Sequence, residues 1–130
     1  MFGHTHTDIF KVPALFEDET KVSGVITVCG SITTFIGVNP SYCVYTLDKQ
    51  TLLPISRKTY SFDIDEANAT GTPNWKLFTD WTNTYGMKNL SPTEYRKLSD
   101  RIQNDKDVAT NYLHHMTRFP ARHQVADDHT

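Results

Sequence analysis

The chain has 130 residues, of which 38% are hydrophobic and 22% charged, and its net charge is −2 with neutral histidines. That length suits one domain or part of one, and the composition is that of a soluble globular protein. No basic stripe is visible, which argues against nucleic acid as a partner. No apolar run approaches the roughly 18 residues that a membrane-spanning helix requires.

In chain order, the first informative stretch is Gly3-His4-Thr5-His6-Thr7-Asp8. Its two imidazoles lie two residues apart behind a glycine that permits a tight turn, a spacing suited to holding one metal ion or a pair. A hydrolytic two-metal site draws several His, Asp and Asn ligands from different loops, so this stretch supplies only one piece of such a set. Val22 to Cys29 is rich in β-branched residues and reads as a strand, and Cys43 to Leu47 reads as another. Between them Gly30 to Ser41 forms a loop with Gly37 and Asn39-Pro40, and the expected arrangement is a long-looped antiparallel hairpin. Such a hairpin brings Cys29 and Cys43, the only two cysteines, near enough to pair, while two buried free thiols are the competing state. A third strand is expected from Lys58 to Ile64, with Tyr60, Phe62 and Ile64 on one face.

After Gly71 the period changes. Thr72-Pro73 reads as a helix start, with Trp75, Phe78, Trp81 and Tyr85 along one face and Gly86 as the stop. Those aromatics fit a core-facing stripe better than a membrane-interface stripe. Ser91-Pro92-Thr93-Glu94 forms a capping box that opens a second helix, with Tyr95, Leu98 and Ile102 sharing a face. Asn104 or Asp105 caps a third, with Val108, Tyr112, Leu113 and Met116 inward, ending before Pro120. His114 and His115 diverge by about 100° on that helix, too far apart to share an ion. The tail from Ala121 to Thr130 is polar and expected to fray. Asn68-Ala69-Thr70 and Asn89-Leu90-Ser91 are glycosylation sequons, so Asn68 and Asn89 are candidate modification sites, with Pro92 weakening the second.

The segment from Phe2 to Phe10 resembles the final metal-binding motif of the calcineurin-like metallophosphoesterases, and more narrowly that of the acid sphingomyelinase family. The resemblance continues through Ser31 to Pro40, Val44-Tyr45, Tyr60 to Asp63, Asn74 to Leu77 and Thr84-Tyr85-Gly86, covering about Phe2 to Phe119. It implies an α+β fold: the C-terminal strands of a metallophosphoesterase β-sandwich within residues 1–70, a helical C-terminal subdomain over 71–119, and a flexible tail over 120–130. It implies two zinc ions sharing a bridging hydroxide, with His4 and His6 as ligands to different ions. It also implies substrate contacts from the loop carrying Phe35 and Asn39. The family often has a tyrosine at the loop's aromatic position; Phe35 keeps the apolar face and lacks the phenolic hydroxyl.

Two departures accompany the resemblance. The family's earlier Asp-x-His, Gly-Asp and Gly-Asn-His ligand motifs do not occur in the chain, nor does its cysteine-rich end. The chain therefore reads as the last part of a sphingomyelin phosphodiesterase, inactive alone, whose expected partners are the missing N-terminal catalytic part and sphingomyelin or a membrane lipid surface. The parent is expected to be secreted or lysosomal, although no signal peptide precedes Gly3. The family's own disulfides do not match Cys29 and Cys43, so unpaired thiols are expected. The alternatives are a related phosphodiesterase acting on nucleotides, which the compact Phe35 to Pro40 loop disfavours, and a non-catalytic module that binds lipid or a partner.

Overall fold

The computed structural model describes residues 3–15 and 18–119. Small antiparallel sheets dominate the first part of the chain and helices the last, giving the expected α+β class. The expected flexible tail lies outside the described residues.

Strand β1 (Ile9–Lys11) pairs with β4 (Ile26–Val28), and β2 (Ala14–Leu15) pairs with β3 (Asp18–Val22). Strands β5 (Ser41–Leu47), β6 (Pro54–Ser61) and β7 (Lys76–Asp80) form a three-stranded sheet in that order. The expected hairpin between Val22–Cys29 and Cys43–Leu47 is therefore corrected: those segments pair with β1 and β6 instead. The reason is local. Asp48 folds the chain back immediately after β5, its carboxylate accepting from the backbone N–H of Gln50 at 3.0 Å and Thr51 at 2.7 Å. A short Asx-type turn closes at less entropic cost than the longer loop before β5.

The third strand also shifts, running from Pro54 and ending at Ser61. Asp63 then caps helix α1 (Ile64–Thr70), accepting from Asp65 N at 2.9 Å and Glu66 N at 3.0 Å. Gly71 ends α1 in the left-handed conformation that a glycine adopts without Cβ strain. Asn68 is thus an exposed helical residue rather than a loop residue.

The helix expected from Thr72 to Gly86 is corrected as well. Its first half is β7, and only Trp81–Thr84 (α2) is helical, capped by Asp80. The edge of β6 supplies pairing partners for Lys76 to Asp80, and a sheet ladder outweighs a weak helical preference there. Of the four aromatics, Trp81 and Tyr85 are buried, while Trp75 and Phe78 remain partly accessible.

The last two helices form where expected. In α3 (Pro92–Asn104) Ser91 is the N-cap, with Pro92 in the first turn. The box is not reciprocal, because Glu94 accepts from Lys88 N at 3.0 Å and Ser91 N is held by Asn89. Asp105 caps α4 (Lys106–Thr117). Leu113, expected inward, is exposed, a correction that follows from α4 directing Tyr112 and His115 towards the core.

That core comprises Trp81, Tyr85, Met87, Leu90, Tyr95 and Leu98, and Phe10, Val25, Val108 and Tyr112 pack against it. Each large buried side chain contributes about 1.5–3 kcal/mol relative to exposure. Phe10 sits edge-on to Trp81 and Tyr112, so the segment after the histidine pair is anchored to the helices. No helix among the described residues is long and apolar enough to cross a membrane.

Candidate functional site

The Gly3–Asp8 segment is held by two buried arginines. Asp8 is almost inaccessible, and its carboxylate accepts from Arg57 on β6 and from the Thr59 hydroxyl. Arg57 also donates to the Val28 carbonyl at 3.0 Å, and its guanidinium carbon lies 3.9 Å from the Trp81 ring centroid. Burial works against the Arg57 charge, but the carboxylate of Asp8 and the surrounding tyrosines outweigh it and raise the guanidinium pKa. Asp8 N donates to the Met116 carbonyl of α4 at 3.2 Å.

Arg118 makes the second clamp. It ends α4 in a left-handed conformation, with φ of 47°, and its side chain turns inward. Its Nη2 donates to the His6 carbonyl at 2.9 Å, and Nε donates to the Asn39 carbonyl at 3.4 Å. Burial lowers its pKa, and the field of Asp8 opposes that. Room for the guanidinium depends on Gly30: a Cβ there would lie 2.1 Å from Ser41 Oγ and 2.6 Å from Arg118 Nη2. The end of α4, the histidine segment and the loop before β5 are therefore joined through one side chain.

His4 and His6 both have positive φ, 83° and 62°, a region that costs non-glycine residues energy and tends to persist where surrounding structure imposes it. His4 is exposed, whereas His6 is half-buried with its ring edge-on to Phe35 at 5.6 Å. Among the described residues His6 Nδ1 is buried without a hydrogen-bond partner. Phe35 itself is 70% exposed, on a single 3-10 turn (Phe35–Gly37). The structure thus brings His6 and Phe35 together.

Asn39 lies nearby in the chain but is turned inward. Its carboxamide oxygen accepts from Ile64 N at 3.0 Å, and its backbone N–H donates to the Arg118 carbonyl at 2.9 Å. Asn89 is exposed, with its carboxamide oxygen engaged by Ser91 N. Among the described residues, no group of three or more His, Cys, Asp or Glu side chains is placed to hold an ion.

The loop carrying Phe35 is closed by a disulfide between Cys29 and Cys43, with Cα atoms 5.9 Å apart. The expectation of unpaired thiols is therefore corrected. Although the two strands are not partners, Ser41 N donates to Ser31 O at 2.8 Å, and this contact at the loop's base brings the two cysteines into bonding range.

Several residues that build the site escaped the sequence reading. Asp8 carried a signal, since it immediately follows the histidine pair. Arg57 and Arg118 look like ordinary surface cations in sequence, and only their burial reveals their role. His115 is buried against Tyr85, whose hydroxyl lies 2.7 Å from Nδ1. Burial, helped by the neighbouring His114, lowers its pKa to about 4.

An α+β chain with a clamped histidine pair beside an exposed aromatic loop defines a class of site in which imidazoles present nitrogen at a surface. Over residues 18–125 the chain matches the family described as acid sphingomyelin phosphodiesterase C-terminal region, and it belongs to that family. A sphingomyelin phosphodiesterase of Bos taurus is 35% identical over 130 residues, covering 92% of this chain and 20% of that protein. Sphingomyelin phosphodiesterase B of Dictyostelium discoideum is 32% identical over 126 residues, again covering 92% and 20%. A cyclic GMP-AMP phosphodiesterase of Bos taurus is less similar, at 25% identity over 126 residues, with 91% of this chain and 28% of that protein covered. The chain spans about a fifth of the length of the sphingomyelin phosphodiesterases it matches.

Proposed function

We propose that this chain is the C-terminal part of a zinc-dependent sphingomyelin phosphodiesterase, which cleaves sphingomyelin to ceramide and phosphocholine and is inactive as this chain alone. The observation that carries the reading is family membership over residues 18–125, joined to a histidine pair held in strained geometry just before that span. His4 and His6 fit zinc as donors: imidazole nitrogen suits that ion, and His6 Nδ1 is buried with no hydrogen-bond partner among the described residues. When bound, a zinc pair supplies a nucleophilic hydroxide at neutral pH and neutralises charge on the phosphoryl oxygens.

The chain's own residues act on position. Arg118 fixes the His6 carbonyl, Asp8 anchors the segment behind the pair, and Phe35 limits how far the His6 ring can swing. Phe35 offers an apolar face to substrate, while Asn39 supports the loop from below. Two imidazoles leave most of a two-metal ligand set to be filled, and the remaining ligands would come from an N-terminal metallophosphoesterase part whose β-sandwich these strands complete. The disulfide supports a secreted or lysosomal parent, because such bonds persist in oxidising compartments. A sphingolipid substrate is favoured over a nucleotide by the higher identity to the sphingomyelin phosphodiesterases.

The test has two arms. The purified 130-residue chain with added zinc is expected to show no turnover of sphingomyelin. The chain joined to coding sequence found in frame upstream of Met1 is expected to turn it over, and to lose that activity with His4→Ala or His6→Ala. Turnover by the chain alone, or a joined protein indifferent to both substitutions, overturns the reading.

A further inference from the structure

We propose that the last turn of α4 is an acid-sensitive latch on the histidine pair. Neutral His115, seated against Tyr85, holds Met116 and Arg118 where they grip the Gly3–Asp8 segment, and protonation of His115 releases that grip. The inference rests on the reading that His4 and His6 work as a pair, and it gives His115 a positioning role towards them.

The turn is a junction between the core and the histidine segment. His115 is 8% exposed, and its Nδ1 lies 2.7 Å from the Tyr85 hydroxyl. One residue on, the Met116 carbonyl accepts from Asp8 N at 3.2 Å. Two residues further, Arg118 closes the turn by donating from its backbone N–H to the His114 carbonyl at 2.9 Å, and its side chain reaches the His6 carbonyl. The Asp8 carboxylate is held separately by Arg57, so the turn governs the backbone at His6 and Asp8. His6 has a φ of 62°, a conformation that lasts only where its surroundings impose it. Losing the Arg118 contact lets that residue relax and changes the separation of the two imidazoles.

The nest around His115 admits a neutral ring and opposes a charged one. Phe78 of β7 meets it edge-on at 5.5 Å and Tyr85 of α2 at 5.7 Å. Burial pushes the Tyr85 phenol well above its ordinary range, so Tyr85 brings a neutral hydroxyl to the contact. His114, beside it on α4 with ring centroids 5.7 Å apart, adds its own charge in acid. Arg57 and Asp8, the buried ions of the core, are paired with each other. A neutral imidazole accepts the Tyr85 proton at Nδ1, whereas an imidazolium donates at both nitrogens and forces that hydroxyl to turn away. A buried charge without a partner is driven towards water, and the turn that carries it moves too. With the ring at about 4 when seated and at 6.5 when released, linkage makes the open latch about a hundredfold more populated near pH 4 than near pH 7.

Hydrogen exchange followed by NMR on the full oxidised chain reads the latch without turnover. The amides of Asp8 and Asn39 donate to the Met116 and Arg118 carbonyls. Corrected for the intrinsic exchange rate, their protection should fall about a hundredfold between about pH 7 and about pH 4. Low urea should leave that exchange unchanged, as for a local opening, while the amide of buried Leu98 exchanges through a urea-dependent global one. His115→Gln keeps an acceptor for Tyr85 and does not titrate, so protection at Asp8 and Asn39 should stay level across the window. His115→Met serves the same purpose if the glutamine variant fails to fold. The proposal is overturned if protection is level in the unsubstituted chain, or if exchange at Asp8 and Asn39 has the urea dependence of Leu98. A loss that persists in a folded variant also overturns it, because the acid response then belongs to another group, Asp8 included. Should neither variant fold, the titration midpoint of the His115 ring must coincide with the loss of protection, and a mismatch overturns the latch. A latch that opens as described in a chain whose joined form leaves sphingomyelin intact sinks the functional reading alone. An active joined protein with level protection sinks the latch alone.

Discussion

Removing the Cys29–Cys43 bond tests how the chain holds its exposed loop. The cysteines are 14 residues apart, and closing a loop of about 15 residues removes roughly 3 kcal/mol of conformational entropy from the unfolded chain at 25 °C in the chain-entropy description. The native structure retains two other ties across the loop, the Ser41 N to Ser31 O hydrogen bond and the Arg118 clamp on Asn39 and His6. A Cys29→Ser, Cys43→Ser double variant is therefore expected to fold, but with stability reduced by about 3 kcal/mol. With a urea dependence of about 1–3 kcal/mol per molar, the unfolding midpoint should drop by about 1–3 M. The assay is urea unfolding followed by circular dichroism, comparing the double variant with the oxidised chain at equal slope. Loss of the loop's order would also appear as faster proteolysis between residues 30 and 41. Equal midpoints within error, or two titratable thiols in the non-reduced folded chain, would refute the reasoning.

Further outcomes follow from the buried charges and the histidines. Asp8→Asn leaves the Arg57 guanidinium buried without its counter-ion, so stability should fall by about 3–5 kcal/mol, measured by the same unfolding experiment; a loss below 1 kcal/mol, small even for one ordinary hydrogen bond, would contradict the pairing. His115 has its pKa lowered from 6.5 to about 4 by burial and by His114, so the unfolded chain binds the extra proton first. Its contribution to stability is full above pH 6.5 and is lost as pH falls towards 4; His115→Gln should flatten the pH dependence of stability across that window. His4→Ala should alter the stability of this chain by less than about 0.5 kcal/mol, since an exposed loop side chain makes little packing contribution. In protein passed through a secretory pathway, peptide mapping should find glycan on the exposed Asn68, and an unmodified peptide as the sole form would count against it.

The local signals in the sequence were sufficient for the last two helices. Ser91-Pro92 and Asp105 each cap their own chain, and the apolar spacing that follows needs no distant partner to read correctly. The histidine pair was legible for the same reason, since two imidazoles and a glycine occur together in six residues. Where an element depends on what lies beside it, the sequence was not enough. Lys76 to Asp80 lies within the run of aromatics at helical spacing that Trp75, Phe78, Trp81 and Tyr85 make, yet it forms a strand, because β6 presents an unpaired edge that no local pattern records. Cys29 and Cys43 join although their strands are not partners, since their approach is set by the fold of the intervening loop. The roles of Arg57 and Arg118 are the clearest case. A charged side chain is surface by default, and only a tertiary structure that brings Asp8, Trp81 and the carbonyls of His6 and Asn39 around them makes burial of those two charges favourable.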